Sequence, residues 1–247
     1  MSNPTSQLSG RLEFAVPDFE RAQRKGVPEV ILADRKSVEQ SLAIARAFLA
    51  RTGRAILSRV GPELEARLQS EFATEAACEW VALPRAAVLR RPDFVIAQTG
   101  GRVGVLTAGT SDVPVAEEAA LLCREMGCRV YTAYDVGVAG LHRLFEPLGT
   151  LLDEAQVDVL IVVAGMDGAL PSVVAGLADV PVIGLPTSIG YGIGGGGIAA
   201  LYSMLQTCAP GLSVVNIDNG IGAGAVAGLI ANRAAAARRA SPETGAP

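Results

Sequence analysis

"RVGVLTAGTSDVPVAEEA", residues 102–119, decides the fold of the larger part of the chain. A near-continuous apolar run predicts a buried strand, a turn follows at 109–112, and helix-like spacing of apolar residues comes next. The strand recurs as "CRVYTAYDV" (128–136), "DVLIVVAG" (158–165), "VPVIGLP" (180–186) and "LSVVNID" (212–218), each with a helical stretch after it. Strands that alternate with helices predict an α/β fold with a parallel sheet covered on both faces.

A shorter version of this pattern precedes it. The predicted order is a strand "EVILA" (29–33), a helix capped by Ser37, a strand "RAILSRV" (54–60) and a helix "PELEARLQSEF" (62–72). Residues 76–102, with Trp80, two prolines and Gly100-Gly101, predict an irregular connection. We therefore predict a smaller N-terminal α/β region with its connection over 1–97, a larger domain over 98–236 and a disordered tail over 237–247.

Composition excludes several classes of function. The chain has 247 residues, a net charge of −4 and only 4% aromatic residues, so it has neither the basic surface nor the stacking rings of a nucleic-acid-binding protein. The N-terminus lacks a signal-peptide core, and no uninterrupted apolar run reaches the roughly 18–20 residues that cross a bilayer. We expect a cytoplasmic protein with reduced cysteines and no membrane partner. With one histidine and no C-x-x-C pair, no structural metal is expected.

Ligands of parallel α/β sheets bind at the carboxyl ends of the strands. Gly109, Thr110, Ser111 and Asp112 lie where the first strand of the larger domain turns into its helix, a position that suits a phosphate group. Equally, Ser111 or Asp112 could simply cap that helix. Asp167, in "AGMDGALP", follows another strand and could be either a general base or a cap.

Three further features carry alternative interpretations. Gly192-x-Gly194-x-x-Gly197 imitates a dinucleotide fingerprint with Asp218 as the ribose-binding acid, but too few strands follow it for a redox Rossmann domain. His142, beside Arg143 at a strand-to-helix corner, is either a surface residue or a site residue. Cys208 is either a small apolar residue at a helix end or a nucleophile, and the other three cysteines are expected to be packing residues.

The motifs at the strand ends, taken together, resemble one family. They are "TAGTSDVPVAEEA" (107–119), "DVGVAGLHRL" (135–144), "AGMDGALPSVVAGL" (164–177), "PVIGLPTSIGYG" (181–192) and "VVNIDNGIGAG" (214–224). They are similar to the LarB family of pyridinium-3,5-biscarboxylic acid mononucleotide synthases, the carboxylase/hydrolases that open nickel-pincer nucleotide cofactor synthesis. The resemblance covers roughly residues 100–230 and extends, more distantly, to class I aminoimidazole ribonucleotide carboxylases and mutases. It implies a flavodoxin-like, three-layer catalytic domain and a homo-oligomer, commonly an octamer.

The resemblance also implies a substrate and a reaction. The family's substrate is nicotinic acid adenine dinucleotide, its carbon source is carbon dioxide or bicarbonate, and its products are the biscarboxylated mononucleotide and AMP. The family's nucleophile is a cysteine in a Ser-Cys-Ala context, which Cys208 in "TCAPG" matches. Its thiolate would add to C4 of the pyridinium ring and make C5 nucleophilic. Mg²⁺ is expected to assist phosphoanhydride cleavage, with no ligand set readable from the sequence.

The resemblance assigns roles to the other candidate residues. Asp167 stands where the family usually has Glu and would handle the C5 proton or position carbon dioxide, with a reach about one methylene shorter. His142, a candidate catalytic residue, would lie with Arg143 near carboxylates or phosphates. The phosphoribosyl part would be held by Gly109, Thr110, Ser111 and Asp112. The opposite wall would be lined by Ser188, Tyr191 and Gly192, and a ribose or the catalytic loop would be oriented by Asp218 and Asn219.

Two departures from the family pattern bear on its loops. "GIGGGG" (192–197) replaces a bulkier segment, and "DRKS" (34–37) stands where the family often has Gly-Lys-Thr. Two other functions stay open at this point. One is an aminoimidazole ribonucleotide carboxylase or mutase, which needs no cysteine, and the other is a non-catalytic regulatory module that binds an adenine dinucleotide.

Overall fold

Two sheets, one in each of two units of the chain, organise the fold. The computed structural model describes residues 12–240, and the two units separate between Val95 and Ile96. Residues 1–11 and 241–247 lie outside the described residues, and with them lies most of the predicted disordered tail. Residues 237–240 of that tail belong to the last helix, which continues to Ala240.

The N-terminal unit is a small α/β domain, as predicted. Its elements are α1 (Arg21–Lys25), β1 (Ile31–Leu32), α2 (Val38–Thr52), β2 (Arg54–Ser58), α3 (Pro62–Glu71), β3 (Ala77–Val81) and β4 (Ala86–Arg90). The sheet order is β1-β2-β4-β3, in which β1 and β2 are parallel and β4 runs antiparallel to both of its neighbours. Ser37 caps α2 as predicted, since its hydroxyl accepts from the Gln40 amide at 3.1 Å.

The prediction of an irregular connection over 76–102 was wrong for its first half. Strands β3 and β4 form an antiparallel hairpin there, with Trp80 opposite Ala87. Residues 86–89 are fully buried, so this short apolar run is a central strand of the sheet. The two prolines had indicated an irregular segment, but Pro84 and Pro92 flank β4 and do not interrupt it.

The larger unit has a flavodoxin-like topology. Its elements are β5 (Arg102–Thr107), α4 (Val113–Glu125), β6 (Arg129–Ala133), α5 (His142–Gly149), β7 (Val159–Ala164), α6 (Leu170–Ala175), β8 (Val182–Pro186), α7 (Ile198–Leu205), β9 (Leu212–Val214) and α8 (Gly220–Ala240). The strands are all parallel, in the order β6-β5-β7-β8-β9. This is the 2-1-3-4-5 order of doubly wound sheets. The predicted parallel sheet and fold class are confirmed.

Helices cover both faces of this sheet. Apolar residues of α5, α6 and α7, among them Leu144, Val174 and Met204, form one core with Leu106, Leu160 and Val182 of the strands. Helices α4 and α8 pack on each other and on the central strands from the other side. Helix α8 is apolar and long enough to cross a membrane by those two criteria alone. Its buried stripe of glycine and alanine against α4 and the sheet is typical of a core helix in a soluble fold.

Close contact between α4 and α8 leaves different room for a side chain at two glycines of α8. A Cβ at Gly224 would lie 2.6 Å from the carbonyl oxygen of Ala119, a backbone atom that cannot move without shifting α4. A Cβ at Gly228 would instead meet the end of the flexible Met126 side chain at 2.6 Å. The same substitution should therefore have different costs at the two positions.

We expect Gly224→Ala to lower the free energy of unfolding by about 1–3 kcal/mol relative to Gly228→Ala, because only the former overpacks against backbone. Both variants gain the same helix propensity, so that contribution cancels. Urea unfolding followed by circular dichroism measures the difference. Equal stabilities would show that the backbones do not approach as closely as described.

Candidate functional site

The candidate site lies at the carboxyl ends of β5 and β7. These strands are neighbours, yet the chain leaves β5 for β6 on one side and leaves β7 for β8 on the other. The loops that follow the two strands therefore diverge and leave a crevice, which is where open α/β sheets bind ligands. The motif residues after β5, β6, β7, β8 and β9 all belong to this edge of the sheet.

The loop after β5 presents hydroxyl groups to solvent and buries a carboxylate. Thr110 and Ser111 are exposed in a short 3₁₀ turn that leads into α4. Asp112 is only 4% exposed. Its Oδ1 accepts from the Thr187 hydroxyl at 2.7 Å, and its Oδ2 accepts from the Gly109 amide at 2.9 Å.

Asp112 is thus a residue that organises loops. Burial is the largest influence on its carboxyl and raises its pKa above the ordinary value, and the negative charge of Asp218 acts in the same direction. The hydrogen bonds from Thr187, Gly109 and the amide of Gly165 oppose this effect. A direct substrate contact, as the sequence analysis predicted, would compete with these bonds, so the geometry favours a positioning role for Asp112.

The loop after β8 is fixed at its base and exposed at its tip. The Ile189 carbonyl accepts from the Met166 amide at 2.8 Å, which joins this loop to the one after β7. Ser188, Tyr191 and Gly192 are exposed, and the Tyr191 side chain is 81% exposed. Gly192 has a φ of +76°, a left-handed conformation in which glycine is favoured. The three residues therefore lie on one exposed, glycine-rich wall.

The loop after β9 supports this wall. Asp218 has a φ of +54°, and its Oδ1 accepts from the Ser188 amide at 2.8 Å. Asn219 accepts from the Gly222 amide at 2.9 Å and so caps α8. Of the two roles predicted for this pair, orientation of a loop is the one that these contacts support.

His142 and Arg143 lie at the start of α5, after the loop that follows β6. His142 is exposed. Arg143 pairs with Asp135 at 2.6 Å, and the Asp135 amide donates to the Thr107 hydroxyl at 3.1 Å. The guanidinium group is therefore tied to the end of β5. The ion pair is half exposed, so Arg143 can exchange Asp135 for an anionic ligand at little cost.

Asp167 is exposed in the loop after β7, and its Oδ1 accepts from the Ala169 amide at 3.3 Å. The preceding Met166 has a φ of +49°, and a Cβ at Gly168 would lie 2.6 Å from Cα of Ala200. The tight loop thus leaves Asp167 exposed just after the carboxyl end of β7. Its second oxygen is open to solvent and to a ligand.

Cys208 lies elsewhere. It belongs to the connection that enters β9, and Gly211 at the end of this connection accepts from the amide of Val182, the first residue of β8. The strands begin at the edge of the sheet where Cys208 lies. From there β8 runs about 16 Å to the opposite edge, which carries the motif residues. The structure therefore brings together the motif residues of the five strand ends but does not bring Cys208 to them within one chain.

Exposure separates Cys208 from the other cysteines. Cys208 is exposed, whereas Cys123 and Cys128 are buried and Cys78 is half-buried. Burial raises the pKa of all three, to about 11 for Cys128. The Cys123 thiol also contacts the Gly224 carbonyl at 3.4 Å. The prediction that these three are packing residues agrees with their positions, and Cys208 is the accessible thiol.

The site does not offer a ready-made metal centre. Within residues 12–240, no three histidine, cysteine or acidic side chains are grouped so that they could hold a metal ion. Mg²⁺ keeps several water ligands and commonly binds proteins through one or two carboxylates plus substrate phosphates. The described residues therefore hold no preformed three-ligand metal centre.

Two residues of this site were not among those predicted from the sequence. Thr187 stands inside the quoted motif "PTSIGYG" but carries no signal that distinguishes a buried hydroxyl from an exposed one. Asp135 pairs with Arg143 and has a φ of +59°, which a sequence pattern does not reveal. Its place at the start of the motif "DVGVAGLHRL" was the one available hint.

A 2-1-3-4-5 parallel sheet with glycine, hydroxyl and carboxylate groups at its switch point defines a flavodoxin-like, ligand-binding α/β protein. Comparison with known families is more specific: residues 102–244 match the family model described as AIR carboxylase, and residues 9–91 match the LarB/PurE-like N-terminal domain. The chain belongs to the AIR carboxylase family, a family of carboxylase-type enzymes, and within it to the LarB-like proteins that carry this N-terminal domain. The recognition of the family from its motifs is confirmed.

Individual relatives agree with this assignment. An uncharacterized protein of Methanocaldococcus jannaschii is 42% identical over 231 residues, which cover 93% of this chain and 87% of the relative. An N5-carboxyaminoimidazole ribonucleotide mutase of the same organism is 34% identical, over 47% of this chain and 69% of its own length. A mutase of that name from Thermotoga maritima is 32% identical, over 52% of this chain and 74% of its own length. The similarity to the mutases thus covers about half of the chain.

Proposed function

We propose that this protein, acting in the cytoplasm, carboxylates nicotinic acid adenine dinucleotide at C5 of the pyridinium ring and hydrolyses its phosphoanhydride. The products would be pyridinium-3,5-biscarboxylic acid mononucleotide and AMP. The observation that carries the proposal is the exposure of Cys208, the accessible thiol among four cysteines, in a family of carboxylases. A carboxylation that uses a thiol nucleophile needs an accessible thiol, whereas Cys123 and Cys128 are buried and Cys78 is half-buried.

The proposed reaction proceeds through a covalent adduct between Cys208 and the pyridinium ring. The Cys208 thiolate adds to C4 of the pyridinium ring, and the ring electrons give a neutral dihydropyridine whose enamine makes C5 nucleophilic. C5 then forms a bond to the carbon of carbon dioxide. Loss of the C5 proton and expulsion of the thiolate restore the aromatic pyridinium. Water cleaves the phosphoanhydride, which releases AMP.

The residues of the crevice would supply binding and proton transfer. The exposed hydroxyls of Thr110 and Ser111, at the start of α4, suit a phosphate group. Arg143 would neutralise a phosphate or a carboxylate. The free oxygen of Asp167 would take the C5 proton, with the wall formed by Ser188, Tyr191 and Gly192 opposite. A Mg²⁺ ion carried by the phosphates would offset the negative charge of the substrate near these acids.

Cys208 can act on a ligand in this crevice only if it belongs to a second copy of the chain, because it lies at the opposite edge of its own sheet. The outer face of α7 supports such an assembly. Ile198, Tyr202 and Leu205 follow at helical spacing and are 47%, 65% and 61% exposed. An exposed apolar stripe of this kind is typical of an interface. It ends three residues before Cys208, so a copy that covers it would also lie beside the thiol.

Asp167→Asn is expected to reduce carboxylation about 10²–10⁴-fold, since the amide cannot accept the C5 proton. Asp167→Glu, which restores the residue usual in the family, should stay active. The change Asp93→Asn is a matched control, because Asp93 is exposed in the N-terminal unit, outside the domain that carries both the crevice and Cys208. Rates of labelled bicarbonate incorporation measure all three. Full activity of Asp167→Asn would remove this residue from the chemistry.

The direct test is mass spectrometry of purified protein incubated with nicotinic acid adenine dinucleotide, labelled bicarbonate and Mg²⁺. Labelled biscarboxylated mononucleotide and an equal amount of AMP support the proposal. Binding without conversion favours a regulatory module. A second candidate, aminoimidazole ribonucleotide carboxylase or mutase, is favoured by the match of residues 102–244 to the AIR carboxylase model, and turnover of an aminoimidazole ribonucleotide instead would establish it.

A further inference from the structure

Thr187 has no role in the proposed chemistry, yet it is fully buried at the centre of the candidate site. It directly follows β8, and its hydroxyl donates to Asp112 Oδ1 at 2.7 Å. Its own backbone amide donates to the Ala164 carbonyl, at the end of β7. Thr187 is therefore the point at which the exposed loop after β8 leaves the rigid sheet.

The carboxylate that Thr187 contacts joins three strand ends. Asp112 belongs to the loop after β5 and accepts from Gly109 of the same loop at 2.9 Å. It also interacts with the amide of Gly165, directly after β7. The Thr187 hydroxyl adds the loop after β8 to this set. One buried side chain thus fixes the relative positions of the loops that carry the phosphate-binding hydroxyls, Asp167 and the glycine-rich wall.

The backbone packs closely around Thr187, so the position of Thr187 also fixes the segments next to it. A Cβ at Gly165 would lie 2.7 Å from the Thr187 hydroxyl oxygen and 2.2 Å from the Ile189 carbonyl oxygen. A Cβ at Gly197, where the loop returns to α7, would lie 2.7 Å from the Thr187 carbonyl oxygen. Both ends of the segment 188–197 therefore pack against Thr187 or the residues beside it. Gly192 and Gly196, in the middle of the segment, have open space around them.

We propose that Thr187 is a positioning residue: its hydrogen bond to Asp112 latches the segment 188–197 against the phosphate-binding loop and so sets the affinity of the site for its substrate. This proposal rests on the proposed function for the identity of the substrate, but the latch itself can be observed without any ligand. The hydroxyl, rather than the methyl group, is the part of the side chain that acts.

Three variants separate the hydroxyl from the packing. Thr187→Val keeps the volume and removes the donor, so Asp112 Oδ1 is left buried without its partner. Thr187→Ser keeps the donor and removes the methyl group. Asp112→Ala removes the acceptor of the same bond and serves where the valine variant does not fold, as judged by circular dichroism.

The expected result for Thr187→Val is a rise in KM of about tenfold, with kcat within about threefold of wild type, because a buried acceptor without its donor weakens the bound arrangement. Hydrogen–deuterium exchange of the ligand-free protein should become faster in 188–197 and stay unchanged in β5. Thr187→Ser should match wild type in both measurements. Asp112→Ala should make hydrogen–deuterium exchange in the same segment faster.

Two results would overturn the latch. One is exchange in 188–197 that is unchanged by both Thr187→Val and Asp112→Ala. The other is a serine variant as impaired as the valine variant, which would show that only packing by the methyl group matters. If the wild-type protein does not convert the dinucleotide at all, the proposed function fails. The exchange data still show whether the Thr187–Asp112 hydrogen bond holds the segment 188–197 in place.

Discussion

Replacing Cys208 by serine is expected to abolish formation of the biscarboxylated mononucleotide, with a loss of at least about 10³-fold, while the fold and dinucleotide binding persist. A serine hydroxyl is almost entirely protonated near neutral pH and is a far weaker nucleophile than a thiol, so the C4 adduct does not form. Because Cys208 is exposed, the substitution removes no core packing. Labelled product measured by mass spectrometry gives the rate, and calorimetric titration with the dinucleotide gives the affinity.

Cys78→Ser is the matched control for this experiment. Cys78 is half-buried in β3 of the N-terminal unit, and burial raises the pKa of its thiol, so it is a poor nucleophile. This variant should retain wild-type rates. Full activity of Cys208→Ser would eliminate covalent catalysis by this residue and shift the weight to the aminoimidazole ribonucleotide reaction, which needs no cysteine.

The sequence predicted the larger domain well because its signals are local. Long apolar strands, glycine at the turns and helical spacing after each turn specify a parallel sheet without reference to distant residues. The motif residues after the five strands could be grouped for the same reason, since carboxyl ends of parallel strands share one edge. Ser37 was recognised as a cap because its partner Gln40 is only three residues away.

The missed features depend on contacts between distant parts of the chain. The β3–β4 hairpin escaped prediction because a four-residue buried run beside prolines is ambiguous until its partner β2 is known. Thr187 and Asp112 are 75 positions apart, and only the fold shows that they share a hydrogen bond. Cys208 was grouped with the crevice by family resemblance, although its place before β9 puts it at the other edge of the sheet.

The position of Cys208 also predicts how assemblies that mix two inactive variants behave. Cys208→Ser and Asp167→Asn should each be inactive alone, but subunits of the two variants that are unfolded together and reassembled should recover activity. If each site combines Asp167 of one copy with Cys208 of another, random assembly from equal amounts gives about one site in four with both native residues. Recovery to about one quarter of the wild-type rate is therefore expected.

A site built within one chain predicts a different outcome. Every chain in the mixture then carries one defect, so reassembly restores nothing, and the same holds for the control mixture of Cys208→Ser with Cys208→Ala. A second test uses the apolar face of α7: Tyr202→Glu, which puts a charge on this exposed stripe, should dissociate the assembly in sedimentation experiments and remove activity with it. An active monomer would contradict the shared site, because one chain alone holds its thiol and its crevice at opposite edges of the same sheet.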